Sequence, residues 1–466
     1  MQAKAADPSS SWPIFLNVEQ QIELWIHKNP KAVKVLKVAF SILGVGLLAS
    51  SCMDTRVTKK LSCKISLRIA GTLVTLASGA ALLALDAIVP PHHDMKNHAF
   101  KPNCCEGGKL YYEGEIPILA LDADNPRVCG AAQGYLCGEA ISNLAKRFGL
   151  VLHTIARQPR ASNLTSFLNT MKENIPKRYM DEMEGLLEGY ERWAQENCDK
   201  KPKHMTFDDI FLFHFMPDSI HFQPKNFKMA CAAIVSKNQE GELVFARNMD
   251  WPSLGIAGSY SLIINRRYTN EDYLNTVEVC TPGFVGTLTG MNEMGLAIGM
   301  NVCEGNTKEA KGIPACIYNR MCLDTCKDTD DVRAFLEEFS PFGPYHLTVA
   351  DKAKKALSIH FAQAEDGSNV IREYREKPLA TLNCRYGPNP SCDLHHSKER
   401  QEVIDQFFEE NVQEIERVLE LLPVNNVMTT HRVVMIPERD YFGLALDNAF
   451  AGKEPLHNVT LEKLLH

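Results

Sequence analysis

Cys231 heads an apolar run, residues 231–236, and Arg247, Asp250 and Trp251 follow it by 16, 19 and 20 residues. A cysteine thiolate is a strong nucleophile, and its formation needs a neighbouring base or positive charge. Arg247 offers the charge and Asp250 a carboxylate. Residues 232–236 read as a strand, 237–241 as a turn and 243–247 as the returning strand. An antiparallel return carries the end of the second strand back beside Cys231, so the spacing is consistent with one site. The plainer readings of the same residues are a core cysteine and a fold-stabilising Arg247–Asp250 pair.

Further along, residues 290–297 (Gly-Met-Asn-Glu-Met-Gly-Leu-Ala) hold a turn between apolar stretches. Leu382 and Asn383 come later, and Ser397 to Arg400 stand ahead of a helix. With Cys231, Arg247 and Asp250, these segments resemble the cysteine N-terminal-nucleophile amidohydrolases. The branch is the one with penicillin acylase-like and acyltransferase-like enzymes, acid ceramidase and bile-salt hydrolases. Residues 134–138 and 182–189 resemble the amino-terminal part of the acyltransferase-like enzymes, so the likeness spans about residues 110–450. It implies an α+β fold with a four-layer αββα core, and self-cleavage of the Ala230–Cys231 bond. Two features depart from the pattern. Leu382 stands where a small hydroxyl residue often precedes the asparagine, and a long extension precedes Cys231.

After such a cleavage Cys231 would carry a free α-amino group with an ordinary pKa of about 7.7 to 8.0. That amine can take the thiol proton and return it to the leaving amine. The resemblance then makes Asp250 the acceptor that orients the amine. Arg247 would hold that carboxylate and keep the local potential positive. Asn383 would donate to the oxyanion, a contact typically worth about 3 kcal/mol, with Arg400 as electrostatic support. Asn301 is a second oxyanion candidate and Trp251 a pocket wall. The expected reaction is hydrolysis of a linear carbon–nitrogen amide through an acyl-enzyme, on a small-molecule amide whose acyl group is apolar or lipid-like. An acyltransferase or an esterase uses the same intermediate. A membrane-anchored interaction protein without activity is the non-enzymatic alternative. No cofactor and no metal are required, and the two cleavage fragments are expected to stay associated.

Short strand candidates with helices between them favour a layered α+β domain. Residues 116–121, 260–265, 285–289 and 296–302 read as strands. Residues 134–148 read as one helix, 317–325 and 332–339 as two more, and 398–422 as a long one, continuous or broken. Residues 180–193 carry apolar residues at helical spacing, with Glu182, Glu184, Glu188 and Glu191 read as the solvated face. His214 and His221 could bind a metal, but packing is the plainer reading. Cys384, next to Asn383, is a candidate for pairing or oxidation rather than the nucleophile.

The chain divides into an amino-terminal region (1–91), a polar linker (92–109), the amino-terminal part of a hydrolase precursor (110–230) and a catalytic core (231–466). Residues 38–53 and 69–85 are uncharged apolar runs, slightly short of the roughly 20 residues that span hydrocarbon. Flanking basic side chains such as Lys37 and Arg68 can snorkel to lengthen them. A membrane hairpin is the expectation, and with it membrane association in an unspecified compartment. Two buried or interfacial helices are the alternative, as is one span with one interfacial helix. Basic residues flank both sides of the first run, so the positive-inside rule gives no orientation. A net charge of -7 lacks the positive footprint of a nucleic-acid binder.

Overall fold

The computed structural model describes residues 100–146, 169, 171–215, 217–218, 230–251, 256–303, 312–362, 364, 366–386, 390, 396–410, 415–421, 424–426, 428–447 and 451–465. The apolar runs at 38–53 and 69–85 lie outside the described residues, as does His221. Among the described residues no helix is long and apolar enough to cross a membrane.

Strands β1 (Asn103–Cys105), β2 (Gly108–Glu113) and β3 (Ile116–Asp122) form an antiparallel meander. It begins inside the stretch read as a linker. Then come β4 (Ala230–Lys237), β5 (Leu243–Asp250), β6 (Leu262–Arg267), β7 (Thr276–Cys280), β8 (Thr289–Asn292) and β9 (Ala297–Val302). They are followed by β10 (Tyr345–Ala350), β11 (Ala356–His360), β12 (Val370–Glu373) and β13 (Leu379–Thr381). The last three are β14 (Thr429–Ile436), β15 (Tyr441–Leu446) and β16 (His457–Thr460). Two sheets result, of ten strands (β1-β2-β3-β6-β7-β8-β9-β10-β11-β12) and six (β13-β4-β5-β14-β15-β16).

The sheets pack face to face. Ala233, Val235, Phe245, Val433 and Met435 of the smaller sheet share one buried cluster with Ile118, Ile263, Val277, Met291 and Ala297 of the larger. The outer face of the larger sheet carries Leu119, Leu262 and Ile264, packed with Met183, Leu186 and Tyr318 from helices. Those helices include α1 (Pro126–Leu136), α2 (Lys177–Glu196), α3 (Phe207–Phe215), α4 (Ala315–Thr325) and α5 (Thr329–Glu338). The smaller sheet's outer face meets α6 (Ser397–Glu410) and residues 415–421: Arg400 bonds the Cys231 carbonyl, and Asn248 Nδ2 donates to the Leu419 carbonyl at 2.8 Å. The order is helices, sheet, sheet, helices.

Local chemistry explains the helix ends. Asn125 caps α1 by accepting from the Arg127 and Val128 amides, with Pro126 pre-set for the first turn. The expected helix at 134–148 is interrupted: α1 ends at Leu136 and a second helical stretch begins after Cys137. Gly130 and Gly134 let α1 lie directly on α2, because a Cβ on Gly130 would stand 1.9 Å from the Glu182 carbonyl oxygen.

That close approach corrects the reading of α2. Glu184 and Glu188 are exposed and pair with Arg127, but Glu182 is 1 % exposed. It receives Arg266 Nε at 3.3 Å and stands 3.7 Å from Arg320 Nη1. Arg266 also pairs with Glu278 at 2.8 Å, and Arg320 with Asp324 at 2.7 Å. Burial pushes the Glu182 carboxyl up, but Arg320 and Arg266 outweigh it and hold the group below its ordinary value.

Candidate active site

The β4–β5 hairpin brings the expected residues together by register. Cys231 pairs with Met249, and Ala230 with Asp250. On the other side β13 pairs Thr381 with Ala233. Continuing that antiparallel register for two residues brings Asn383 level with Cys231, and the Cys231 amide donates to Asn383 Oδ1 at 2.9 Å.

Side chains alternate along a strand, so Arg247 and Asp250 project from opposite faces of β5. Arg247 lies between the sheets. Its Nη2 stands 3.4 Å from Cys231 Sγ and also donates to the Met300 carbonyl, while Nη1 donates to Thr289 Oγ1. Gly299 makes room for it, since a Cβ there would lie 2.9 Å from Arg247 Cδ. Asp250 lies on the helix-covered face. It accepts from Thr429 Oγ1 at 2.6 Å and Asn426 Nδ2 at 2.8 Å, and Arg400 Nη1 stands 3.9 Å away. The cation beside Asp250 is therefore Arg400, and not the Arg247 that was expected to hold it.

Arg400 joins the two halves of the site. It donates to the Cys231 carbonyl at 2.7 Å, to Asn383 Oδ1 at 2.8 Å and to Ser397 Oγ at 3.0 Å. Asn383 turns its amide oxygen to Cys231, and its Nδ2 donates to the Val302 carbonyl at 2.6 Å. Its donor is thus engaged away from the thiol, which differs from the oxyanion role expected of it. Asn301 Nδ2 likewise donates to the Thr381 carbonyl at 2.8 Å, and its Oδ1 has no hydrogen-bond partner among the described residues. Both asparagines brace the loop after β13. His346 Nε2 adds a contact to the Cys384 carbonyl at 2.7 Å. Cys384 is disulfide-bonded.

Electrostatics follow from burial. It pushes the Cys231 thiol above its ordinary value, with the Arg247 charge opposing and the Asp250 carboxylate adding. Burial also raises the Asp250 carboxyl against the pull of Arg400. Met249, the register partner of Cys231, and Trp251 line a small apolar cavity whose wall includes neither Cys231 nor Arg247. Leu144, Phe213, Phe284, Leu288 and His431 complete much of its wall. Trp251, expected as a pocket wall, is one of the residues around this cavity. His214 does not behave as a free ligand: its Nδ1 donates to the Ile210 carbonyl and its Nε2 accepts from the Val285 amide.

Sequence reasoning missed Thr289, Gly299, Asn426, Thr429 and His431. Gly299 and Thr289 flank the 290–297 motif and were within its reach. The other three arrive on or just before β14, far along the chain and with no motif of their own.

Among curated protein sequences none matches this chain. An N-acylethanolamine-hydrolyzing acid amidase ortholog from Caenorhabditis elegans is similar at 18% identity and TM-score 0.37, over 45% of this chain and 93% of that one. Penicillin V acylase from Agrobacterium tumefaciens is similar at 16% identity and TM-score 0.32, over 46% and 83% respectively. A mutant conjugated bile acid hydrolase from Clostridium perfringens stands at 12% and 0.32, over 49% and 96%. The family model described as acyl-coenzyme A:6-aminopenicillanic acid acyl-transferase matches residues 236–423, a span that holds Arg247, Asp250, Asn301, Asn383 and Arg400 and starts just after Cys231. Through that span, less than half of the chain, the sequence is similar to the acyl-coenzyme A:6-aminopenicillanic acid acyl-transferase family.

Proposed function

We propose that the chain is the precursor of a cysteine amidohydrolase that cuts itself before Cys231 and then cleaves a linear amide with an apolar acyl group. The observation that carries this reading is the pairing of Arg247 Nη2 with Cys231 Sγ at 3.4 Å, with Met249, the register partner of Cys231, in the wall of an apolar cavity. A buried guanidinium favours the thiolate over the thiol. The thiolate attacks the amide carbonyl, the carbon–nitrogen bond breaks and the amine leaves with a proton. Water then opens the thioester and restores the thiol. The new α-amine of Cys231 supplies the proton relay, next to Asn383 Oδ1 and within the Asp250–Arg400 arrangement.

Transfer of the acyl group to an amine instead of water is the second reading, favoured by the acyl-transferase family match. The cleaved fragments stay together in this proposal. Leu144 and Phe213 precede Cys231 and wall the cavity, and Glu182 sits between Arg266 and Arg320, which follow it. Membrane attachment through residues 38–53 and 69–85 belongs to the same proposal and rests on their composition.

The test is intact-mass spectrometry of wild type beside Cys231→Ala, followed by a screen of N-acyl amides with and without an added amine. A fragment beginning at Cys231 and amide cleavage, both absent in the variant, are expected. An amide-cleaving Cys231→Ala protein would sink the proposal, and an amine-dependent product would favour transfer.

A further inference from the structure

Strand β14 reaches the site with one extra residue. Thr429 pairs with Asp250 while His431 pairs with Met249, so Thr430 is bulged between them. A bulge re-aims the side chains on either side of it. Thr429 therefore meets Asp250 on the helix-covered face, and His431 faces the space between the sheets. There Cys231, Met249 and His431 stand in one row across β4, β5 and β14.

His431 is 2 % exposed and lines the apolar cavity. Its Nε2 stands 3.4 Å from Thr289 Oγ1. The same oxygen accepts from Arg247 Nη1, and Arg247 Nη2 faces Cys231 Sγ. Arginine only donates, and a threonine hydroxyl has one proton to give. With Arg247 donating into Thr289 Oγ1, the hydroxyl proton is free for His431 Nε2, which accepts it in the neutral tautomer that carries its proton on Nδ1. Burial, helped by the Arg247 charge, keeps His431 neutral by holding it well below its ordinary pKa.

We propose that His431 is a positioning residue: it orients the Thr289 hydroxyl, which in turn fixes the Arg247 guanidinium against the Cys231 sulfur. An apolar residue of similar size would fill the cavity wall but leave Thr289 free to turn and Arg247 free to drift. This rests on the reading of Cys231 as the nucleophile.

The test follows iodoacetamide alkylation of Cys231 against pH in the full chain, with the labelled peptide located by mass spectrometry. In His431→Leu the alkylation midpoint is expected to rise by about one pH unit, a tenfold loss of thiolate at fixed pH below it. kcat on an N-acyl amide should fall by about tenfold with KM held. His431→Gln, which offers an acceptor oxygen, should restore most of both. Thr289→Val should reproduce the shift, and the double variant should add nothing. A wild-type alkylation profile in His431→Leu, or a change confined to KM, would make His431 a wall residue and overturn the proposal. If His431→Leu fails to fold, Thr289→Val decides alone: a shifted midpoint supports the relay and an unshifted one overturns it. Should alkylated wild type keep its amidase activity, the nucleophile reading itself has failed, and that result is distinct from either outcome above.

Discussion

Arg247 and Asp250, three residues apart on β5, face opposite sides of the sheet and serve different partners. Arg247 stands 3.4 Å from Cys231 Sγ between the sheets, and Asp250 bonds Thr429 and Asn426 under the outer helices. Strand alternation enforces the division. Arg247 faces the sulfur, and Asp250 is linked to the backbone of the same cysteine through Arg400, which bonds the Cys231 carbonyl.

Arg247→Gln therefore acts on the thiol side of the sheet, where it also takes a donor from Thr289 Oγ1 and the Met300 carbonyl. The glutamine keeps polarity but removes the charge that opposes burial of the thiolate. Loss of a preorganised charged donor of this kind costs about a hundredfold in kcat. Steady-state kinetics on an N-acyl amide, with circular dichroism to confirm the fold, check it. A loss below about threefold would show that Arg247 is structural.

Asp250→Asn acts on the other side. Burial and Arg400 both bear on this carboxylate, and its oxygens already serve Thr429 and Asn426. The amide cannot accept at both positions, so the Ala230–Cys231 junction loses its nearest anion. Self-cleavage on a denaturing gel should slow by at least about tenfold while Cys231 still alkylates. Normal cleavage would remove Asp250 from maturation.

Gly299→Ala tests the space under Arg247. The added Cβ would lie 2.8 Å from Phe245 Cζ and 2.9 Å from Arg247 Cδ. Overpacking of this kind costs about 1–3 kcal/mol, and the flexible arginine stem is the part that can yield. Activity should fall further than the loss of stability explains, read by comparing kcat with the urea midpoint. Full activity in a stable variant would refute the fit.

The hairpin of the site was legible because an antiparallel turn fixes register once its strands are read. Cys231, Arg247 and Asp250 needed nothing beyond the period of two. Their partners were not legible in the same way. Thr429 and His431 reach the site through a bulge, and alternation alone would have put them on one face. Of the strand expected at 285–289, residues 285–288 are instead a loop leading into β8, because side chains take the Val285 backbone groups. His214 accepts from the Val285 amide, and Arg320 Nη1 donates to the Val285 carbonyl at 2.7 Å. Glu182 shared its helix with exposed glutamates, and its burial depends on arginines from a distant strand and helix.

Glu182→Gln probes those arginines. Removing one member of a buried ion cluster leaves uncompensated charge and costs about 3–5 kcal/mol. Because Glu182 precedes Cys231 and both arginines follow it, cleaved protein should also separate more readily. Size-exclusion chromatography of the cleaved variant in mild urea is expected to release the smaller fragment at lower denaturant than wild type. Co-elution at every wild-type concentration would show that the apolar contacts alone hold the halves.

His214 gives a pH dependence whose sign is fixed by its contacts. Its Nε2 accepts from the Val285 amide, so protonation would turn an acceptor into a donor facing a donor. Burial lowers its pKa from 6.5 to about 4. Between those values the unfolded chain binds the proton and the folded chain does not, so stability is lost as pH falls from about 6.5 toward 4. Other buried groups titrate in the same range, some with the opposite sign: burial lifts Asp218 to about 8. The share of His214 is therefore isolated by comparison with His214→Gln. The stability advantage of wild type over the variant should shrink by about 2 kcal/mol between pH 7 and pH 5, measured by urea unfolding at both. An advantage that stays constant would mean that His214 is protonated in the folded chain or already neutral in the unfolded one, and the assigned tautomer would fall with it.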